Sequence, residues 1–292
     1  MSAGITVSSG GLIGGRAGRR LAGLLSTPSG IVGGILTLLM VILVVIFWIG
    51  LLPDPIAQNA AESLQAPSAA HLFGTDRFGR DMLARCAAGL ANSVLIAVVA
   101  VAFATVIGTL GGLTAGFFGR VPDRVIGAAT NILFAFPPLL LALSLASAFQ
   151  RNWFTIAIAI GIVYVPIFVR VSRGPVLSLR EADFVHASTV LGMSRARVLL
   201  GHILPNITSI VIVQVTLSLS WAVLTEASLS FLGLGTPPPA PSLGSMVFDA
   251  TTLVYIAPWT MVAPGAVLVV FVVGLNLLGD GLRDVLDVRN RG

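Results

Sequence analysis

The feature that most constrains this chain is a succession of long apolar runs from which charge is nearly excluded. Residues 31–52 form an uncharged run of about 20 residues, enough to cross a bilayer as a helix. Comparable runs follow at 92–118, 125–149, 154–171, 207–229 and 259–278. In lipid a backbone has no water to satisfy its polar groups, so such runs must close their hydrogen bonds internally, as helices. The expected fold is therefore an all-α membrane protein with six transmembrane helices. Charged residues make up 10% of the chain and its mean hydropathy is +0.98, whereas about a quarter of a soluble domain is charged. A signal peptide at 31–52 would have a shorter apolar core, so the first run reads as a retained span.

Charge then sets the expected orientation. The chain has no lysine, so its 17 basic residues are all arginine. Six spans put both ends on one side, with Arg16, Arg19, Arg20, Arg120, Arg124, Arg170, Arg173, Arg180, Arg195, Arg197, Arg283, Arg289 and Arg291. Only Arg77, Arg80, Arg85 and Arg151 fall on the other side. Positive charge is retained on the cytoplasmic side, so both ends are expected inside. The layout is a cytoplasmic tail at 1–30, a first helix at 31–52, an extracytoplasmic segment at 53–90, a five-helix core at 91–280, and a cytoplasmic tail at 281–292. The arginines are spread between apolar runs with no single basic face, which points to lipid headgroups and not to nucleic acid.

The polar stretch 178–206 interrupts the core on the cytoplasmic side. Ser178 with Glu181 three residues later reads as a capping box. Phe184, Ala187 and Leu191 recur on one face of a short helix. Gly192 falls where a left-handed cap would end it. Ser194 would cap a second helix carrying Arg195 and Arg197, and Pro205 is expected to break the pattern. A plain solvated loop would need none of these signals. On the far side, HLFGTDRFGRDML at 71–83 sets Gly74 and Gly79 at turns, with Asp76, Arg77, Arg80 and Asp81 able to neutralise one another.

Within the spans, Gly108, Gly112 and Gly116 form a four-residue repeat that would let another helix approach closely. Pro137 and Pro138 should kink the third span. Trp221 and Trp259 read as interfacial anchors or packing residues. Glu226 is an acid near a span end, where a buried charge is expensive. Pairing with Arg77 or Arg80 would resolve it, and without a second intramembrane acid a proton relay is the weaker reading. The single Cys86 excludes an intrachain disulfide and reads as packing.

Three segments resemble one family. Ala187-x4-Gly192-x11-Leu204-Pro205 is similar to the E-A-A-x3-G-x9-I-x-L-P loop of ABC importer permeases, with His186, Ser188 and His202 in place of its Glu, second Ala and Ile. GTDRFGRD at 74–81 and EASLSFLGLGTPPPAPSLG at 226–244 resemble segments of the C-type subunit of dipeptide/oligopeptide permeases. The resemblance implies a type I importer permease fold whose cytoplasmic coupling helix docks on an ATPase. On that basis Glu181, Asp183, Phe184, His186, Ala187, Leu191 and Gly192 would form the docking element, with Arg195 and Arg197 as further contacts. Asp76, Arg77, Arg80, Asp81 and Glu226 would form an outer structural gate. The implied partners are a second homologous permease subunit, two ATP-binding subunits or one fused ATPase, and an extracytoplasmic substrate-binding protein.

The chemistry missing from the chain agrees. A G-x4-G-K-[ST] phosphate loop needs a lysine, so ATP and Mg are expected on partner subunits and no cofactor on this chain. His71, His186 and His202 are too scattered for a metal site. No G-x-S-x-G elbow is present. The chain is expected to be a non-catalytic transport subunit. The alternatives are an ion-coupled secondary transporter, which would favour paired ionisable groups near the midplane, and a permease for nickel or glutathione.

Overall fold

A computed structural model describes residues 27–288. Most of the 1–30 tail and residues 289–292 lie outside the described residues. The first helix, α1, spans Pro28–Trp48, with the Thr27 hydroxyl accepting from the Gly30 N–H at 3.2 Å and proline in its first turn. An irregular segment with one 3-10 turn at Ala60–Glu62 leads to α2, Met82–Phe118. At about 1.5 Å per residue, α2 is far longer than a bilayer core is thick. Its first turns lie within the segment expected at 53–90. Met82 and the run 84–91 are buried, so packing extends the helix ten residues beyond the expected start of the second span.

The remaining elements are α3 (Arg120–Phe134), α4 (Pro138–Ala148), α5 (Trp153–Arg180), α6 (Asp183–Val190), α7 (Arg195–Val198), α8 (Leu204–Phe231), α9 (Leu243–Ala250) and α10 (Trp259–Val288). Five described stretches are long and apolar enough to cross a membrane, and the bent pair α3–α4 makes a sixth if it counts as one span. The expected kink in the third span is a break of 93°. A residue before proline is driven out of helical backbone, and Pro137 itself is extended, with φ −54° and ψ 129°. Pro138 then opens α4, where its missing N–H is harmless.

The glycine stripe of α2 is the closest seam in the bundle. A Cβ at Gly112 would stand 2.6 Å from the Val169 carbonyl oxygen, and one at Gly108 would stand 2.7 Å from that of Val165. Gly116 meets Val176 in the same way. The pairings advance together, so α2 and α5 run parallel. Ser93 near the start of α2 meets Glu226 near the end of α8, which sets these two antiparallel. Asn276 meets Ser220 and Gly279 meets Thr216 and Leu217, so α10 is antiparallel to α8. Gly33 of α1 lies on Leu277 and Leu278 of α10. The described chain therefore starts and finishes at the end of the bundle that carries residues 181–203.

Two expected breaks are absent. Ser178 and Glu181 form no capping box. α5 continues through Arg180, Glu181 is its C-terminal cap, and α6 begins after Ala182 with no side-chain cap. Val176 is fully buried against Gly116, so tertiary packing carries α5 past a local start signal and the break falls at residues 181–182. Pro205 does not end its helix either. Residues 199–203 form a π-helical turn joining α7 to α8, with the Leu204 N–H bonded to Leu199 O. The wider turn makes room for a ring that would clash in a regular helix.

The seam yields a first prediction. Gly112→Val inserts a side chain against backbone that cannot yield, so it should destabilise the protein by about 1–3 kcal/mol. Gly127→Ala, where no atom lies within 4 Å of the added Cβ, should be neutral. Thermal unfolding of the detergent-solubilised protein distinguishes them.

Candidate functional site

The elbow between α5 and α8 is built to present its surface outward. Gly192 has φ +78°, the left-handed conformation expected of it. The Gly192 N–H bonds Thr189 O at 3.0 Å and the Met193 N–H bonds Ser188 O at 3.1 Å, a Schellman closure of α6. Ser194 precedes α7, although its side chain makes no capping bond. Val185, Ser188, Val198 and Leu199 are the buried anchors. Glu181, Asp183, Phe184, His186, Ala187, Leu191, Gly192, Arg195 and Arg197 are all exposed. The face carrying Phe184, Ala187 and Leu191 thus points away from the bundle. Val190 is 87% exposed and Leu191 81%, an apolar tip ringed by charge.

The elbow is tied to the bundle by arginines. The Arg173 guanidinium donates twice to the Asp123 carboxylate, Nε to Oδ1 at 2.5 Å and Nη2 to Oδ2 at 2.7 Å. Arg180 donates to Gly116 O at 3.2 Å and to Glu181 at 2.8 Å. α5, α3 and the end of α2 are thereby joined at the root of the elbow.

At the opposite end the segment 53–81 folds around Asp76. Its Oδ1 accepts from the N–H groups of Phe78 and Arg80, and its Oδ2 from Arg80 Nε at 2.7 Å, with Arg85 Nε at 3.4 Å. Asp81 caps α2 through the Ala84 N–H at 2.8 Å and meets His71 Nδ1 at 2.9 Å. The other ring nitrogen of His71 lies 3.5 Å from Glu62. Arg77 and Arg80 both stack on Phe78, each 4.7 Å from the ring centroid. Trp259 is a packing residue here, donating to Thr75 O at 3.1 Å.

Glu226 corrects an expectation. No ion pair joins it to Arg77 or Arg80 among the described residues. Arg80 belongs to Asp76, and Arg77 reaches Asp249 of α9 at 4.0 Å. Glu226 is fully buried and accepts three serine hydroxyls: Ser93 at 2.5 Å, Ser230 at 2.6 Å and Ser242 at 3.1 Å. The carboxyl group faces inward, away from the surface arginines. A buried acid needs its oxygens satisfied, and neutral donors do this without burying a second charge. The cluster ties α8 to α2 and to the residue preceding α9.

Between the two ends, a cleft of about 550 Å³ lies between the α3–α4 bend, α5 and α8. Its walls are largely apolar, with Tyr164, Gln214, Ser218, Thr225 and Ser228 as polar positions. Trp221 stands at this cleft and is 58% exposed.

The family model described as "binding-protein-dependent transport system inner membrane component" matches residues 107–292. The chain belongs to this family. Among its relatives, a dipeptide transport system permease protein of Alkalihalophilus pseudofirmus is 44% identical over 229 residues, covering 78% of this chain and 75% of the relative. A probable D,D-dipeptide transport system permease protein of Escherichia coli is 39% identical over 239 residues, covering 82% and 80%. Solved structures of the MetNI methionine ABC transporter in inward-facing conformations share the fold. One matches with a TM-score of 0.55 at 19% identity over 68% of this chain and 94% of the solved chain. This inner membrane component is thus a multi-pass membrane protein and a transport subunit, not an enzyme.

In this inner membrane component several site residues were not legible in the sequence. Ser93 and Ser242 are single serines among many, separated from Glu226 by 133 and 16 residues. His71 and Asp249 gave no signal as partners of Asp81 and Arg77. The second prediction concerns the hydroxyl cluster. Glu226→Ala removes the acceptor of three buried hydroxyls and should cost about 1–3 kcal/mol, while Glu226→Gln retains an acceptor and costs less. Arg77→Ala, at an exposed ion pair, should leave stability within about 1 kcal/mol of wild type. Chemical unfolding in micelles ranks the three variants.

Proposed function

We propose that this chain is the membrane-spanning permease subunit of an ATP-driven importer of di- or oligopeptides. It forms half of the translocation pathway and couples that pathway to ATPase subunits. The observation that carries the coupling role is the elbow: all nine candidate residues are exposed on a rigidly closed turn whose tip is apolar. An exposed apolar tip on a capped, anchored element is expensive in water and suits burial in a partner's groove. The peptide cargo is supported by the relatives named as dipeptide transport permeases, which align over most of their length.

In this reading the elbow end is cytoplasmic, in accord with the arginine distribution, and ATP and Mg bind to two ATPase subunits or one fused ATPase. A second homologous permease completes the pore. An extracytoplasmic binding protein delivers cargo to the end carrying Asp76, Arg77, Arg80, Asp81 and Glu226. ATP-driven closure of the ATPases displaces the elbow, and α5 and α8 carry the displacement into the membrane. No observation favours an ion-coupled mechanism or a nickel or glutathione cargo.

The third prediction tests the elbow. Leu191→Asp puts a charge on the apolar tip without touching the buried anchors. It should lower co-purification of the ATPase and peptide-stimulated ATP hydrolysis by about tenfold or more, with the thermal stability of the isolated permease unchanged. Gly192→Pro demands φ near −65° where the chain needs +78°, and should abolish coupling. Retention of ATPase binding and uptake by both variants would overturn the coupling role.

A further inference from the structure

The cleft between α5, α8 and the α3–α4 bend lies at the depth of the bundle's apolar helices, yet it is not lined as a lipid-facing or dry surface would be. Gln214, Ser218, Trp221, Thr225 and Ser228 recur along one stripe of α8, and Tyr164 faces them from α5. Tyr164 Oη and Thr225 Oγ1 are 3.2 Å apart, and Gln214 Nε2 donates to Ser218 Oγ at 3.1 Å. Thr225 and Ser228 donate to the Trp221 and Leu224 carbonyls at 2.9 and 2.8 Å. Their oxygens keep acceptor capacity, and Gln214 keeps its amide oxygen and one N–H. These bonds satisfy the Thr225 and Ser228 hydroxyl donors within the protein. Hydrocarbon offers the remaining acceptors and the second Gln214 N–H no partner, and polar side chains within spans commonly face water-filled cavities or cargo routes. The stripe therefore faces something that hydrogen-bonds.

No Asp, Glu, Arg or His lines the cleft. A peptide presents one N–H and one C=O per residue whatever its side chains are. Neutral amide and hydroxyl groups match that backbone and hold neither terminus nor charged side chain as an ion pair. The size falls within the range of small-ligand sites. Resting on the importer reading above, we infer that this cleft is the chain's share of the cargo path. Gln214, Thr225 and Tyr164 contact the peptide backbone, and their neutrality makes passage indifferent to cargo charge.

The test uses the assembled transporter in membrane vesicles, in a Cys86→Ala background. Thr225→Cys should react with a membrane-impermeant cationic thiosulfonate at least about tenfold faster than Leu38→Cys, on the exposed apolar face of α1, because only a hydrated thiol ionises. A saturating tripeptide should slow that reaction. In a separate variant, Gln214→Glu should raise uptake of a lysine-containing tripeptide relative to a glutamate-containing one by about tenfold, since an acid in a low-dielectric path discriminates by charge. If Thr225→Cys reacts no faster than Leu38→Cys, the cleft is not a hydrated path and the inference falls. If it reacts but peptide gives no protection and Gln214→Glu leaves the uptake ratio unchanged, the peptide contact is overturned while wild-type peptide uptake keeps the importer reading intact. A wild-type assembly that takes up no peptide overturns that reading, and the inference with it.

Discussion

The close approach of α2 and α5 is the contact on which the rest of the molecule depends. Gly108, Gly112 and Gly116 leave α2 without side chains at the seam, so that the backbone of α5 and the roots of Phe168, Ser172 and Val176 come against it. In a bilayer, where apolar surfaces gain little by leaving lipid, such contact relies on dispersion and shape. The consequence reaches both functional regions. α5 leaves the seam as a continuous helix that ends at Arg180 and sets the root of the elbow. The opposite face of α5 supplies Val163, Tyr164 and Ile167 to the cleft. The same helix thus holds the elbow and the cleft wall in fixed relation, with the Arg173–Asp123 pair fastening α3 to it.

Guanidinium–carboxylate pairs secure both ends of the bundle, Arg173–Asp123 at one and Arg80–Asp76 at the other, and the far end adds a buried carboxyl group. At the elbow end, guanidinium groups bind carboxylates and carbonyls near the surface. At the far end, Glu226 draws three hydroxyls into a fully buried site. A single carboxyl group there joins the successive α8 and α9 to α2, which is remote in sequence. Its partners are short side chains on stiff backbone, so the site specifies one arrangement of α2, α8 and the start of α9.

Much of the architecture was legible in the sequence because membrane burial imposes a long apolar period that few other folds require. The glycine repeat, the turn at Gly192 and the Asp76–Arg80 pair were readable because each needs a particular residue type, whereas Asp81, expected to be neutralised by the same arginines, meets His71 instead. The limits of local signals appear where tertiary contacts outweigh them. Ser178 and Glu181 have the right spacing for a cap, but Val176 and Leu179 hold α5 together beyond that point. Pro205 has the chemistry of a stop, but a π turn absorbs it. Glu226 was placed correctly as a costly acid and paired wrongly, because serines carry too little individual signal to compete with arginines. The cleft escaped altogether, since it arises from the break at Pro137 and the stripe on α8 together.

The π turn at 199–203 has a mechanical consequence. Because the helix is not interrupted, Arg195–Phe231 is one rod, grasped at Glu226 and carrying the exposed Arg195 and Arg197 at its other tip. From Glu226, Leu200 lies 26 residues away and Gln214 lies 12, so swinging the tip moves Gln214 by roughly half as much and Ser228 hardly at all. A proline that merely ended the helix would have placed a hinge there and dissipated the stroke. In the coupling mechanism proposed above, a rod that accommodates the ring would open the cleft as a wedge whose apex is the serine-bound carboxyl.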